Sequence, residues 1–345
     1  MPAFPSQANT YIPSHDATNN MVVDFARNIN KFKVNQYVQI VPVEKMQAYY
    51  LEMTVEEAGR IINTDLRNFH WPDASPAPEG NDGLESFDYK LVVTNRYAYP
   101  VLLGDLTIDQ SSWDILAQHS RIKSQQAMTA RTQLVATTLT TEANYDASHV
   151  LDVTAISGNT GGWDVSTTAR MDIQRSLGAA QELILDDTLS AVELDDLVMV
   201  ISSGLANKLR RTQEIVDYVK SSPDALAQVR GELPGQNTFY GLPDTLYGIP
   251  LVVDATRKTT TKKGETTNRE SIYADDIACL VARPGGLVGV DGAPSFSTVT
   301  LFAKEEMTVE TKRDDDNRRT KARVVENIGV HMTAPAAGVL FTDVS

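Results

Sequence analysis

The segment from Met307 to Val330 constrains the fold most. Its two flanks carry alternating apolar residues, which predict β-strands. Between them, from Thr311 to Arg323, ten of thirteen residues are charged or carry an amide. A polar cluster between two strands predicts a hairpin turn, yet the same composition would suit a site for a metal ion, a phosphate or a nucleic acid. The residue spacing therefore has to decide between a turn and a binding site.

The spacing of the acidic residues excludes a calcium loop. An EF-hand loop needs acids or amides at positions 1, 3 and 5, glycine at position 6 and glutamate at position 12. Counted from Asp314, the fifth residue is Arg318 and the sixth is Arg319. Central acids flanked by bases suit a solvated turn and equally an ion-paired contact with a symmetry-related copy; if the chain assembles, we favour the contact. The candidate residues are Lys312, Arg313, Asp314, Asp315, Asp316, Asn317, Arg318 and Arg319.

The charge balance argues against specific binding of nucleic acid. The 345 residues include 31 Lys and Arg against 45 Asp and Glu, which gives a formal net charge of −14. Such a surface repels phosphate backbones, and no local basic patch offsets it. The N-terminus lacks the charged start and apolar core of a signal peptide, and no apolar run approaches the ~20 residues of a membrane span. We expect a soluble protein made and kept in a cytoplasm.

Signals for catalysis and for cofactors are weak. Cys279, the one cysteine, lies in an apolar run and is expected to be a buried strand residue. No histidine pair has zinc-ligand spacing, no glycine-rich phosphate motif is present, and the serines of "ISSGL" are expected to cap a helix. Three acid pairs, Asp186–Asp187, Asp195–Asp196 and Asp275–Asp276, fall at element boundaries, where solvated acids are common. We expect no catalytic residue, metal or cofactor.

A projecting β-arm is predicted upstream of these elements. Residues 45–53 are expected to form a strand, followed by a short helix from Thr54. Residues 63–83 contain three prolines and two glycines and are expected to form a long loop. The returning strand alternates Phe87, Tyr89, Leu91 and Val93. Open strand edges on such an arm would be a liability for a monomer. The candidate contact residues at the loop tip are Trp71, Pro72, Pro76, Pro78, Glu79 and Asp82.

Three helices are predicted after the β-arm. The first spans about 112–142, capped by Ser111 or Ser112, with Trp113, Leu116, Ala127, Ala130 and Leu134 on one face. The second carries Ile173, Leu177, Ala180 and Ile184 at intervals of four, three and four. The third runs unbroken from Ser202 to Lys220 and stops before Pro223.

Further strands are predicted before the β-arm, between the second and third helices and, in larger number, from the third helix to the end of the chain. They are expected at 35–43, 197–201, 247–255, 271–282, 295–303, 307–312, 322–333 and 336–341, with a pattern-free surface loop at 256–270. Because there is no repeat and no regular βαβ alternation, the predicted class is α+β.

In this order, the elements resemble the major capsid proteins of tailed bacteriophages with the Hong Kong 97 type of fold. The resemblance covers the chain from about Lys45 to the C-terminus. It is carried by "ASPAPEG" with "FDYKLVVTNRYAYPVLLGD", by "SSWDILAQHSRIKSQQAMTARTQLVATTL", by "SGNTGGWDVSTTARMDIQRSLGAAQELI", by "LVMVISSGLANKLRRTQEIVDYVK" with "LYGIPLVVDATR", and by "ETKRDDDNRRTKARVVENIGVHMTAPAAGVLFTDV". None of these is a strict motif, but their order and spacing together are specific.

The resemblance implies a domain organisation. It comprises an N-terminal arm (1–44), an extended β-loop (45–100), a peripheral domain with a long spine helix (101–190 and 304–345) and an axial domain (191–303). In this family the charged turn closes the peripheral hairpin near the threefold and quasi-threefold contacts, where its charges would face neighbouring copies.

The resemblance also implies a shell subunit that forms hexamers and pentamers of an icosahedral head around double-stranded DNA, which it encloses without sequence-specific binding. Expected partners are further copies of the chain, a portal, a separate scaffolding protein and decoration proteins; no membrane is involved, and the expected location is the virion. The loop tip 72–83 contains no lysine, so non-covalent contacts are expected in place of the Lys–Asn cross-link of some members. Two alternatives stay open: an encapsulin-like cellular compartment, and a soluble hydrolase that uses an acidic pair.

Overall fold

The computed structural model describes residues 31–53, 70–76, 87–111, 113–164, 171–262, 264–285 and 295–345. Residues 1–30 of the predicted arm, the predicted helix from Thr54 and most of the predicted loop 63–83 lie outside the described residues. The helices, numbered in chain order, are α1 Asp105–Gln110, α2 Ile115–Thr140, α3 Asp172–Asp187, α4 Ser203–Leu209, α5 Gln213–Ser221 and α6 Pro223–Arg230. The strands are β1 Gln39–Pro42, β2 Gln47–Met53, β3 Phe87–Val93, β4 Asn95–Gly104, β5 Val150–Asp152, β6 Leu197–Ser202, β7 Thr245–Leu246, β8 Ile249–Asp254, β9 Arg257–Thr259, β10 Arg269–Ser271, β11 Ala278–Ala282, β12 Val299–Asp314, β13 Arg319–Met332 and β14 Gly338–Thr342.

One layer of the molecule is a four-stranded sheet with the order β1-β12-β13-β4. The strand β1 is parallel to β12, and the other neighbours are antiparallel. The hairpin of β12 and β13 confirms the turn predicted at the charged cluster. The two strands predicted at 295–303 and 307–312 are one strand instead, because register irregularities between Ala303 and Thr308 carry the ladder across the polar stretch that separates them.

The helix α2 packs across this sheet, with Val135, Ala136 and Leu139 in a common core with strand residues of β12 and β13. Its predicted cap was wrong. The carboxylate of Asp114 accepts from the N–H of Ala117 at 2.9 Å, because the helix begins three residues later than predicted. Of the predicted apolar face, Ala127 is buried, and Trp113, Leu116 and Leu134 are partly buried against the cores. The other buried residues of the helix were not predicted: Ile115, Thr132, Val135, Ala136 and Leu139.

The second layer is a six-stranded sheet with the order β5-β14-β11-β6-β8-β7. All six residues of β6 are buried, which explains its uninterrupted apolar run. The predicted apolar residues of α3, Ile173, Leu177, Ala180 and Ile184, are buried against the same core. Strands from both sides of the predicted domain boundaries pair here, since β14 pairs with β11. The division into peripheral and axial domains stays a prediction, but its boundaries do not follow the sheets.

Two other predictions of local structure were wrong. The predicted third helix is broken into α4 and α5 at residues 210–212, where Thr212 is buried and its hydroxyl donates to the carbonyl of Leu209 at 2.7 Å. Pro223 then begins α6 at the first helical position, which proline tolerates because that N–H has no helical partner. The predicted loop 256–270 contains the antiparallel pair β9 and β10 at its base.

Candidate functional site

The candidate hairpin tip is a tight turn with one unusual backbone conformation. The β12–β13 ladder extends to the pair Asp314 and Arg319. The turn closes through the N–H of Arg318, which donates to the carbonyl of Asp315 at 3.3 Å. Arg318 has a φ of 46°, in the left-handed region of backbone conformation that residues other than glycine rarely adopt. The backbone therefore fixes where each charge of the tip points.

Asp314 is the centre of the charged cluster. One of its oxygens, Oδ2, accepts from Lys321 at 2.6 Å, from Arg319 at 2.9 Å and from Asn317 at 3.1 Å. Its side chain is only 12% exposed. The hydrogen bonds from Lys321, Arg319 and Asn317, in that order of weight, hold the pKa of the Asp314 carboxyl far below its usual range. Asp314 therefore acts as a structural anchor of the hairpin.

Arg313 ties the tip to the segment that enters α1. Its guanidinium contacts Asp315 at 2.6 Å and Asp105 at 2.9 Å. The hydrogen bond to Asp315 raises the pKa of Arg313, and the charge of Asp105 adds to this. The N–H of Asp105 also donates to the carbonyl of Arg318 at 3.1 Å. Sequence reasoning missed Asp105, because 208 residues separate it from Arg313 and only the pairing of β4 with β13 brings it near.

A shallow open cavity of about 880 Å³ lies between α1 and the tip. Its lining combines the exposed apolar side chains of Leu102 and Leu106 with the charged groups of Arg313, Asp315 and Arg318. A surface with both apolar and charged groups is typical of protein contacts. The hairpin tip and α1 therefore form one surface, larger than the eight residues singled out in the sequence.

The loop tip is described only at 70–76, and within that range it is a closed turn. The indole N–H of Trp71 donates to the carbonyl of Ser75 at 2.6 Å, and the Ser75 hydroxyl donates to the carbonyl of Pro72 at 2.7 Å. The turn holds the Trp71 ring largely in solvent. Pro76 ends the described part of the loop, and the other predicted contact residues, Pro78, Glu79 and Asp82, lie outside the described residues.

The β-arm has one packed face and one exposed apolar face. The strands β2 and β3 pair antiparallel, as predicted. On one face Val92 is fully buried and the ring of Tyr50 stacks on Phe302 with centroids 6.1 Å apart. On the opposite face Tyr49 lies across from Leu91, and both are exposed, as are Tyr89 and Val93. An exposed apolar face of this kind marks a site of interaction.

Each acid pair contributes a carboxylate to a structural contact. Asp187 accepts from the buried ring of His149 at 2.7 Å, Asp196 pairs with Arg283 at 2.7 Å, and Asp275 accepts from the hydroxyl of Ser202 at 2.6 Å. That hydroxyl also accepts from the N–H of Leu205, which confirms the serine cap of α4. Among the described residues no three His, Cys, Asp or Glu side chains lie close enough to hold a metal ion. These contacts give the hydrolase alternative no geometric support.

Cys279 is buried in β11, as predicted, and burial raises the pKa of its thiol to about 12. None of the helices in the described part of the chain is long and apolar enough to span a membrane.

Comparison with solved structures identifies the fold, although no protein-family model and no curated protein matches the sequence. The chain is similar to a phage-related protein from Bordetella bronchiseptica RB50, with a TM-score of 0.58 and 13% identity over 92% of this chain and 94% of that one. It is similar to the capsid of Ralstonia phage GP4, with a TM-score of 0.57 and 11% identity over 90% of each chain. It is also similar to the capsid of cyanophage P-SCSP1u, with a TM-score of 0.54 and 11% identity over 94% of this chain and 93% of that one. The α+β capsid fold predicted from the sequence is therefore confirmed.

Proposed function

We propose that this chain is the major capsid protein of a tailed bacteriophage. Many copies form hexamers and pentamers, which build an icosahedral shell around double-stranded DNA in the virion. The observation that carries the proposal is the match to two phage capsids over nine-tenths of both chains. The shell function requires no catalytic residue and no cofactor.

The exposed apolar face of the β-arm supports assembly. A monomer gains nothing from holding Tyr49, Tyr89 and Leu91 in water. A neighbouring copy that covers this face would stabilise the contact by about 1.5–3 kcal/mol for each such side chain that becomes fully buried. The outer half of β12 supports the same conclusion, because β1 pairs only with residues 300–303 and no strand of the described residues covers the edge beyond them.

The two predicted tips supply further contact surfaces in this proposal. The hairpin tip, residues 312–319, would meet neighbouring copies together with α1, and the Trp71 turn would make a second contact at the end of the arm. Exposed tryptophan in a preorganised turn suits a contact hot spot, because the ring buries a large area at a small cost in entropy.

The acidic surface fits enclosure of DNA without binding it. At a net charge of −14 the shell repels the phosphate backbone, so DNA would be held by confinement. A portal, a separate scaffolding protein and decoration proteins are the expected partners of such a shell, and assembly would take place in the host cytoplasm. Contacts between copies would be non-covalent.

Electron microscopy of the purified full-length chain tests the function. We expect shells tens of nanometres across or flat hexameric rings in negative stain, with light scattering that rises steeply above a threshold concentration. A uniform monomer at high protein concentration, with and without co-expressed scaffolding protein, would overturn the proposal.

A further inference from the structure

In the loop between α6 and β7, residues 231–244, one aromatic ring is almost wholly exposed to solvent. Phe239 is 89% exposed, and Leu233 of the same loop is exposed as well. Exposure of an aromatic ring to water is unfavourable. A flexible loop could fold such a ring back onto the protein, so the backbone around Phe239 decides whether its position is held.

Hydrogen bonds on both sides of the ring fix this loop to the sheet edge. The carboxylate of Asp244 accepts from the N–H groups of Gln236 and Asn237 at 3.0 and 2.9 Å. The side chain of Asn237 is buried and donates to the carbonyl of Leu251 in β8 at 2.7 Å. The turn is therefore preorganised, and Phe239 is displayed by a rigid frame.

The composition of the loop indicates what kind of partner it fits. The fourteen residues "GELPGQNTFYGLPD" contain two acids, Glu232 and Asp244, and no base, and the carboxylate of Asp244 is occupied by hydrogen bonds from the loop backbone. Contact centres between proteins are depleted of charge and enriched in aromatic residues. A nucleic acid would require Lys or Arg, which this loop lacks. Two copies of a chain with a net charge of −14 repel each other least where both surfaces carry little charge, so the loop suits a second copy of this chain.

The position of the loop also suits a second copy. It lies beside β7, one edge of the six-stranded sheet, whereas β5 forms the opposite edge. Five strand spacings of ~4.8 Å place the two edges about 24 Å apart. In a closed ring each copy contacts its two neighbours through different surfaces on opposite sides. A rigid apolar anchor at one lateral edge is the arrangement that such a head-to-tail contact needs.

We propose that Phe239 is the anchor of a contact between neighbouring copies of this chain within a ring. The inference rests on the proposed shell function and adds to it the residue and the sheet edge through which copies meet. Loss of the ring removes the centre of the contact and leaves the subunit fold intact, because the side chain packs against little of its own chain.

Assembly of purified full-length variants tests the anchor. For Phe239→Ser we expect the concentration at half-assembly, measured by light scattering, to rise about tenfold or more, as for a contact hot spot. The melting temperature of the unassembled subunit should not change. Phe239→Tyr keeps the ring and should assemble nearly as the unchanged chain does. Ile122→Ser is the control, since it removes an exposed apolar side chain from α2 without a large change in helix propensity.

Cross-linking identifies the occupant. With the photoreactive residue p-benzoylphenylalanine in place of Phe239, illuminated assemblies should yield covalent dimers of this chain by mass spectrometry. A cross-link to a different protein, or only within one chain, would overturn the inference. If the unchanged chain assembles and Phe239→Ser is no more harmful than Ile122→Ser, the anchor is wrong and the shell function stands. If the unchanged chain stays monomeric, both are wrong.

Discussion

The ion pair between Arg131 and Glu326 joins α2 to the hairpin sheet and offers a quantitative test of the fold. Their side chains are 14% and 1% exposed, and the guanidinium lies 2.9 Å from the carboxylate. Removal of one partner of a buried pair leaves an uncompensated charge, which costs about 3–5 kcal/mol. In Glu326→Gln the amide oxygen still accepts one hydrogen bond, so we expect the lower end, about 3 kcal/mol. An unfolding entropy of about 2.1 cal/mol/K per residue converts this into a fall in melting temperature of about 4 °C.

Calorimetry of the unassembled subunit measures this fall. The matched control is Glu305→Gln, because Glu305 pairs with Arg96 at 3.1 Å on the surface, and we expect a loss below about 1 kcal/mol there. Replacement of both buried partners, Arg131→Met with Glu326→Leu, should recover most of the stability, since no charge is then left unpaired. If Glu326→Gln melts within 1 °C of the unchanged chain, or if the double variant is as unstable as the single one, the pair does not hold α2 as argued.

Three further predictions concern the tip, the glycines and the thiol. Hydrogen bonds depress the pKa of the Asp314 carboxyl in the folded chain. The stability that this carboxylate contributes is therefore present above its unfolded pKa and is lost only as pH falls through its folded pKa. An NMR titration should place the midpoint of the Asp314 carboxyl below ~3.9. Asp314→Lys should therefore lower the melting temperature of the subunit, whereas Asp316→Lys, at a residue that makes no ion pair in the described part of the chain, should leave the melting temperature unchanged. A methyl group added at Gly329 would collide with the backbone of β3, so Gly329→Ala should destabilise the fold by about 1–3 kcal/mol. Gly178 lies in α3 with open space where the methyl group would be added, so Gly178→Ala should stabilise the fold by about 1 kcal/mol. Thermal unfolding followed by circular dichroism measures both changes. Cys279, whose pKa is raised to about 12, should not react with a thiol reagent at pH 8 until the chain unfolds, and rapid labelling of the folded chain would contradict its burial.

The spacing of apolar residues predicted the elements that bury one apolar face and expose the other. The alternation around the charged cluster predicted the β12–β13 hairpin, and the spacing from Ile173 to Ile184 predicted the buried side of α3. The long helix α2 was found, and most of its predicted apolar residues pack at least partly against the cores, but five of its six buried residues were missed. Small and polar residues such as Thr132 face the sheet there, so apolar periodicity carries little information.

Long-range pairing explains what the sequence could not provide. The third predicted helix looks continuous, because its apolar spacing continues across residues 210–212; the tertiary burial of Thr212 breaks it. Asp105 joins the tip only because β4 pairs with β13. The exposed position of Phe239 likewise depends on the hydrogen bond of Asn237 to β8, which no local sequence motif predicts.

The charged tip shows how strand register changes the interpretation of a charge cluster. In sequence all of its charges looked available to a neighbouring copy. The register instead directs Arg319 and Lys321 to Asp314, and Arg313 to Asp105 and Asp315. Within the described part of the chain, Lys312, Asp316 and Arg318 make no ion pair, and together they carry one net positive charge. Since the chain as a whole is acidic, such a tip is attracted to the general surface of a neighbouring copy more than to another tip. We therefore expect the contact to pair the tip with an acidic surface, so that reversal of both Lys312 and Arg318 to Glu weakens assembly, whereas Asp316→Lys, which adds positive charge to the tip, does not.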